Sequence, residues 1–127
     1  MRFTPGELQC MQVLWNHNEL KPSEIQDLLP RRLQNSALRS YLAILLEKGH
    51  VTRRKVGKAY YYKAKTRRDK AFKESLRAMA DAFANGSTKR LLAHFVKTEK
   101  LSAEDMEEIR RIAYGDGPDR DDEGDQR

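Results

Sequence analysis

Cysteine is nearly absent: the 127 residues hold only Cys10, so no disulfide can close within the chain, and a single thiol fits a reducing compartment. Long apolar runs are missing too. The longest is the six residues from Tyr41 to Leu46, far short of the roughly 18 that a membrane span requires. No secretory-type segment opens the sequence, and the expectation is a cytoplasmic protein with no membrane insertion. The three histidines, His17, His50 and His94, are scattered. There is no glycine-rich phosphate loop and no paired-histidine helix motif, so neither an enzyme nor a metal or cofactor protein is expected. A lone thiol on a helix border is more often a small core residue than a nucleophile or ligand, and Cys10 is read that way.

Charge, in contrast, is plentiful and unevenly placed. Charged residues make up 35% of the chain and apolar ones 39%, with a net charge of +6. Residues 115–127 hold Asp116, Asp119, Asp121, Asp122, Glu123 and Asp125 against two arginines, a net −4, which leaves +10 on the first 114 residues. Within 1–65, twelve Lys and Arg face five Asp and Glu. A basic first half suits a polyanion, because each cation laid on a phosphate releases condensed counterions. Charge alone leaves open a merely soluble basic surface.

Thr4-Pro5-Gly6-Glu7 reads as a helix start with a capping box, and Leu8, Met11, Leu14 and Trp15 then recur at helical spacing. Pro22-Ser23-Glu24 opens a second, short helix with Ile25, Leu28 and Leu29 inward, stopped by Pro30. After the basic link Arg31-Arg32, Asn35 or Ser36 caps a third helix whose inner stripe is Leu38, Leu42, Leu45 and Leu46, with Gly49 as its left-handed stop. Its opposite face carries Ser36, Ser40, Ala43, Ile44 and Glu47, with Arg39 on the flank. Short polar side chains allow a helix to sink into a major groove, where Ser and Arg reach base edges and phosphates.

Residues 51–64 mix β-branched and aromatic side chains around Val56-Gly57-Lys58, which predicts a two-stranded hairpin turning near Gly57. Arg53, Arg54, Lys55, Lys58 and Lys63 crowd positive charge onto it. So small a hairpin must lie on the helices before it. Three helices followed by a basic hairpin is the order of a winged helix-turn-helix. The fold class expected is therefore mainly α with one small β-hairpin: a DNA-binding head over 1–65, a helical arm over 66–114 and a disordered acidic tail over 115–127. The expected DNA-binding residues are Arg32, Asn35, Ser36, Arg39, Ser40, Ala43, Ile44, Arg53, Arg54, Lys55 and Lys58. A winged helix can also serve protein–protein or RNA contact, and that alternative stays open beside duplex DNA.

The arm shows single apolar faces: Phe72, Leu76, Met79 and Phe83, then Leu91, Leu92, Phe95 and Val96, then Met106, Ile109 and Ile112. Asn85-Gly86 breaks the first helix, while Ser87 and Ser102 cap the next two. So small a helical unit rarely buries enough surface by itself. Covering those faces with a second copy predicts a homodimer through these residues; folding the arm back on its own head is the alternative.

Taken in register, these pieces resemble the BlaI/MecI penicillinase-repressor family from Thr4 to about Ile112. The likeness is carried by Thr4-Pro-Gly-Glu-Leu8, Met11-Gln-Val-Leu-Trp15, Glu24-Ile25 with Leu28, and Ser36-Ala-Leu-Arg-Ser-Tyr-Leu42. It continues through Leu45-Leu-Glu-Lys-Gly49, Gly57-Lys-Ala-Tyr-Tyr-Tyr62, Phe83-Ala-Asn-Gly-Ser87 and Leu91-Leu-Ala-His-Phe95. The resemblance implies a dimeric repressor on a roughly palindromic DNA operator, released when a membrane-bound metalloprotease sensor triggers cleavage within the arm. Three departures stand out. The step matching the family's Asn-Phe cleavage bond is His94-Phe95, which speaks against the same proteolysis. The cysteine pairs of copper-responsive relatives are lacking. Ala43 and Ile44 stand where a basic residue is common, so the operator is expected to differ, with Ile44 meeting a thymine methyl.

Overall fold

The computed structural model describes residues 3–115; of the tail expected over 115–127, all but Gly115 lies outside them. The order is α1 (Pro5–Asn16), α2 (Pro22–Leu28), α3 (Asn35–Glu47), β1 (Val51–Val56), β2 (Ala59–Ala64), α4 (Arg68–Phe83), α5 (Thr88–Glu99) and α6 (Ala103–Tyr114). Two compact units part between Phe72 and Lys73. The chain is thus mainly helical with one antiparallel hairpin, as expected.

Local chemistry starts and stops these elements. At α1 the Glu7 N–H donates to Thr4 Oγ1 at 3.2 Å and the Thr4 N–H to Glu7 Oε1 at 3.1 Å, the reciprocal capping box. Glu24 accepts from the Lys21 N–H at the head of α2 at 3.0 Å. α3 begins differently from expectation: its cap is Gln34, which makes no side-chain capping bond, while Asn35 is already its first residue. The Asn35 carbonyl oxygen is engaged elsewhere, by Gln26. The hairpin pairs Val51 with Ala64 through Val56 with Ala59. Gly57, at φ +64°, opens its two-residue turn, a conformation glycine adopts without Cβ strain.

In the first unit Cys10, Met11, Val13, Leu14, Ile25, Leu29, Leu38, Leu42, Leu45, Val51 and Tyr62 form one core. Leu28, expected inward, is 42% exposed, and Leu8 is 38% exposed. α2 spans two turns only, and Ile25 with Leu29 already fills its inward row, so Leu28 falls one position off that row. α1 and α3 meet closely where Gly6 faces the Tyr41 ring, a site with no room for a Cβ. The strand-to-arm joint is tied to α1: Trp15 Nε1 donates to the Thr66 carbonyl at 2.8 Å, and Arg68 Nη2 donates to Asn16 Oδ1 at 2.6 Å. His50 Nδ1 shares a 2.8 Å hydrogen bond with Thr66 Oγ1.

The second unit is built from helix ends as deliberate as those of the first. Asn85 and Gly86 take positive φ, and the Gly86 N–H returns to the Ala80 carbonyl, six residues back, at 2.9 Å, which closes α4. Ser87 Oγ accepts from the Arg90 N–H at 3.1 Å. Ser102 and Asp105 form a full capping box at α6. Yet α5 and α6 bury none of their residues. Most of their large apolar side chains, Leu92, Phe95, Met106, Ile109 and Ile112, are exposed, and only Leu91 and Val96 are half-buried.

Candidate nucleic-acid interface

α3 buries Leu38, Leu42 and Leu45 and leaves Asn35, Ser36, Arg39, Ser40, Ala43, Ile44 and Glu47 exposed. The exposed strip is narrow: two serines, an alanine and an asparagine keep the backbone accessible, and Arg39 supplies reach. Arg32, in the turn before it, is exposed and lies 3.8 Å from Asp27, a weak surface pairing that water screens.

The wing divides its cations between two faces. Strand alternation places Arg53 and Lys55 with their cross-strand partners Tyr62 and Tyr60, and Arg54 with Tyr61 on the other side. Arg53 lies with Cζ 4.0 Å above the Tyr60 ring, donates Nη1 to Tyr62 Oη at 3.2 Å, and Lys55 Nζ sits 5.7 Å from the same Tyr60 ring. These aromatic faces hold two long side chains extended without neutralising them. Arg54 is treated differently. Leu20 pairs with Tyr62 on the edge of β2 away from β1, and Glu19 beside it reaches across β2 to Arg54. Arg54 Nε donates at 2.8 Å and Nη2 at 3.0 Å to the two carboxylate oxygens, a bidentate fork. That hydrogen bonding, with the nearby charges of Arg54 and Lys63, holds the Glu19 carboxyl below its ordinary range, and the same hydrogen bonding with the charge of Glu19 pushes Arg54 up. Lys58 is exposed at the turn.

Two positions that sequence reasoning missed, Glu19 and Gln26, and a second role of Glu7 beyond its cap shape this surface. Glu19 offsets one wing charge. Gln26 is buried and bonds the turn before α3. Glu7, also buried, faces Lys48 Nζ at 3.6 Å and so links the start of α1 to the end of α3. Their partners lie 7 to 41 residues away, beyond any local motif; only the capping role of Glu7 had a sequence signal.

In the second unit Phe83, Leu92, Phe95, Met106, Ile109 and Ile112 are exposed, up to 77% at Ile112, and Met79 with them. Leu76, Leu91 and Val96 are half-buried, and Phe72, just before the boundary, is exposed. His94 and Phe95 lie within α5, and His94 lines an open groove with Phe83, Asn85, Arg90 and Lys97. Among the described residues no cluster of His, Cys, Asp and Glu could hold a metal ion, and no helix is long and apolar enough to cross a membrane.

A three-helix core that turns a small polar helix face outward, beside a basic paired-strand wing, defines a winged-helix DNA-binding protein. The chain belongs to the penicillinase repressor family, whose model matches residues 3–114. It is similar to the penicillinase repressor of Bacillus licheniformis, at 23% identity over 87% of this chain and 88% of that protein. It is also similar to the penicillinase repressor of Staphylococcus aureus, at 22% identity over 88% and 90%. Among solved structures, HlyU from Vibrio cholerae is 33% identical over 57% of this chain and 74% of that one, with a TM-score of 0.41. The chain is therefore a DNA-binding transcriptional repressor and not an enzyme.

Proposed function

We propose that two copies of this repressor, working in the cytoplasm, bind a palindromic operator, each laying α3 in the major groove and its wing on the adjacent phosphates. The observation that carries this reading is the exposed strip Ser36, Arg39, Ser40, Ala43 and Ile44 on a helix that buries Leu38, Leu42 and Leu45 on its other side. Arg39 and Ser40 read base edges, Ile44 meets a thymine methyl, and Arg53, Lys55 and Lys58 lie on phosphates. The arm joins the copies through the exposed side chains of α4, α5 and α6, since helices that bury nothing in one chain gain their packing from another. A sensor-linked signal relieves repression. Cleavage at His94–Phe95 is the less favoured route, because that bond lies inside α5 and a protease needs extended backbone.

A gel shift on the promoter the protein controls tests this reading. Arg39→Ala with Ser40→Ala should cost the specific complex about 1–3 kcal/mol per lost base contact while weak nonspecific binding persists. An equal loss of both kinds of binding would remove α3 from the base-reading role.

A further inference from the structure

Gln26 is 3% exposed, and its amide is fully committed. The Leu33 N–H donates to Gln26 Oε1 at 3.0 Å, and Gln26 Nε2 donates to the Leu33 carbonyl at 2.6 Å and to Asn35 Oδ1 at 3.2 Å. The backbone partners fix the orientation of this amide without ambiguity. A main-chain N–H must meet the oxygen of Gln26, and a main-chain carbonyl must meet its nitrogen. The second N–H of Gln26 then requires an oxygen, so Asn35 turns Oδ1 inward and its own Nδ2 outward. Asn35 is exposed at the first turn of α3, on the side of the helix proposed to meet DNA.

The geometry points to Gln26 as a positioning residue that locks Asn35 donor-side out, so that Asn35 Nδ2 binds a phosphate oxygen of the operator. A phosphate accepts only, and an asparagine free to flip would present the wrong end part of the time. Gln26 removes that freedom before binding and fixes the length of the turn by holding both polar groups of Leu33. This inference rests on α3 being the DNA-contacting helix.

A double-mutant cycle on the full-length repressor tests it, read by fluorescence anisotropy against specific and random duplexes of the same length. Asn35→Ala should weaken binding to both duplexes by the same factor, roughly tenfold for a charge-assisted hydrogen bond. Gln26→Met should weaken binding to a similar degree in the parent but produce no further loss in the Asn35→Ala background. Additive losses, or a loss confined to the specific duplex, would overturn the assignment. Should Gln26→Met fail to fold, Asn35→Asp keeps the question open to test. A carboxylate at the first turn favours the helix dipole and can still accept from Gln26, so it should fold yet bind both duplexes less tightly than Asn35→Ala. Binding equal to or tighter than that of Asn35→Ala would overturn the assignment. Arg39→Ala, measured alongside, separates the two levels: if it leaves affinity unchanged, the placement of α3 is at fault rather than the role of Gln26.

Discussion

Cys10 is fully buried in α1, and burial first, then the charge of Glu7, pushes its thiol up to about 11. A thiol held protonated by the fold makes stability depend on alkaline pH. The unfolded chain ionises near 9.0 and the folded chain only near 11, so the contribution is complete below the first value and is lost as pH rises through the second. A shift of that size corresponds to roughly 3 kcal/mol. Thermal unfolding between pH 8 and 11 should therefore fall more steeply for the parent than for Cys10→Ala, although the variant starts lower because of its lost packing. Parallel curves would show that other groups govern the alkaline limb. The same burial makes Cys10 a poor nucleophile, which agrees with its reading from sequence as a core residue.

At the scale of elements, what could be read from sequence was whatever closes over three or four residues. The capping boxes at Thr4–Glu7 and Ser102–Asp105, the Ser87 cap and the Gly57 turn all stand as expected, because their partners are near neighbours. Asn35 as a cap did not, since a buried glutamine nine residues earlier competes for its oxygen. The wing shows the same limit. Five basic residues were legible as a cluster, but its division into two faces, and the cancelling of Arg54 by Glu19 35 residues away, emerge only when the hairpin lies against the loop before α2. Arg54 can reach a phosphate only by leaving Glu19. Glu19→Gln should thus raise affinity for every duplex and steepen the salt dependence by about one counterion. Lys58→Ala should do the reverse. An unchanged slope in Glu19→Gln would mean that the Arg54 face of the wing never meets DNA.

At the scale of the whole molecule, the exposed apolar faces of α4, α5 and α6 decide how the repressor is assembled in the proposed reading. Side chains as large as Phe83, Phe95 and Ile112 lie more than half exposed, and α5 and α6 bury none of their residues. Apolar burial is worth about 25 cal/mol per Å², so a matching second arm has ample surface to work with. Leu92→Asp or Phe95→Asp places a charge on that surface and should give monomers in light scattering while leaving the capped helices in place. In the proposed dimer tethering makes binding of the second head nearly intramolecular, so such a monomer should bind the full operator at least about a hundredfold more weakly than the parent. Its affinity for a single half-site should not change, since the residues of α3 and the wing are untouched. A variant that remains dimeric would place the interface elsewhere. A monomer that keeps full operator affinity would mean that repression depends on one head alone, and that breaking the arm is not how this repressor lets go.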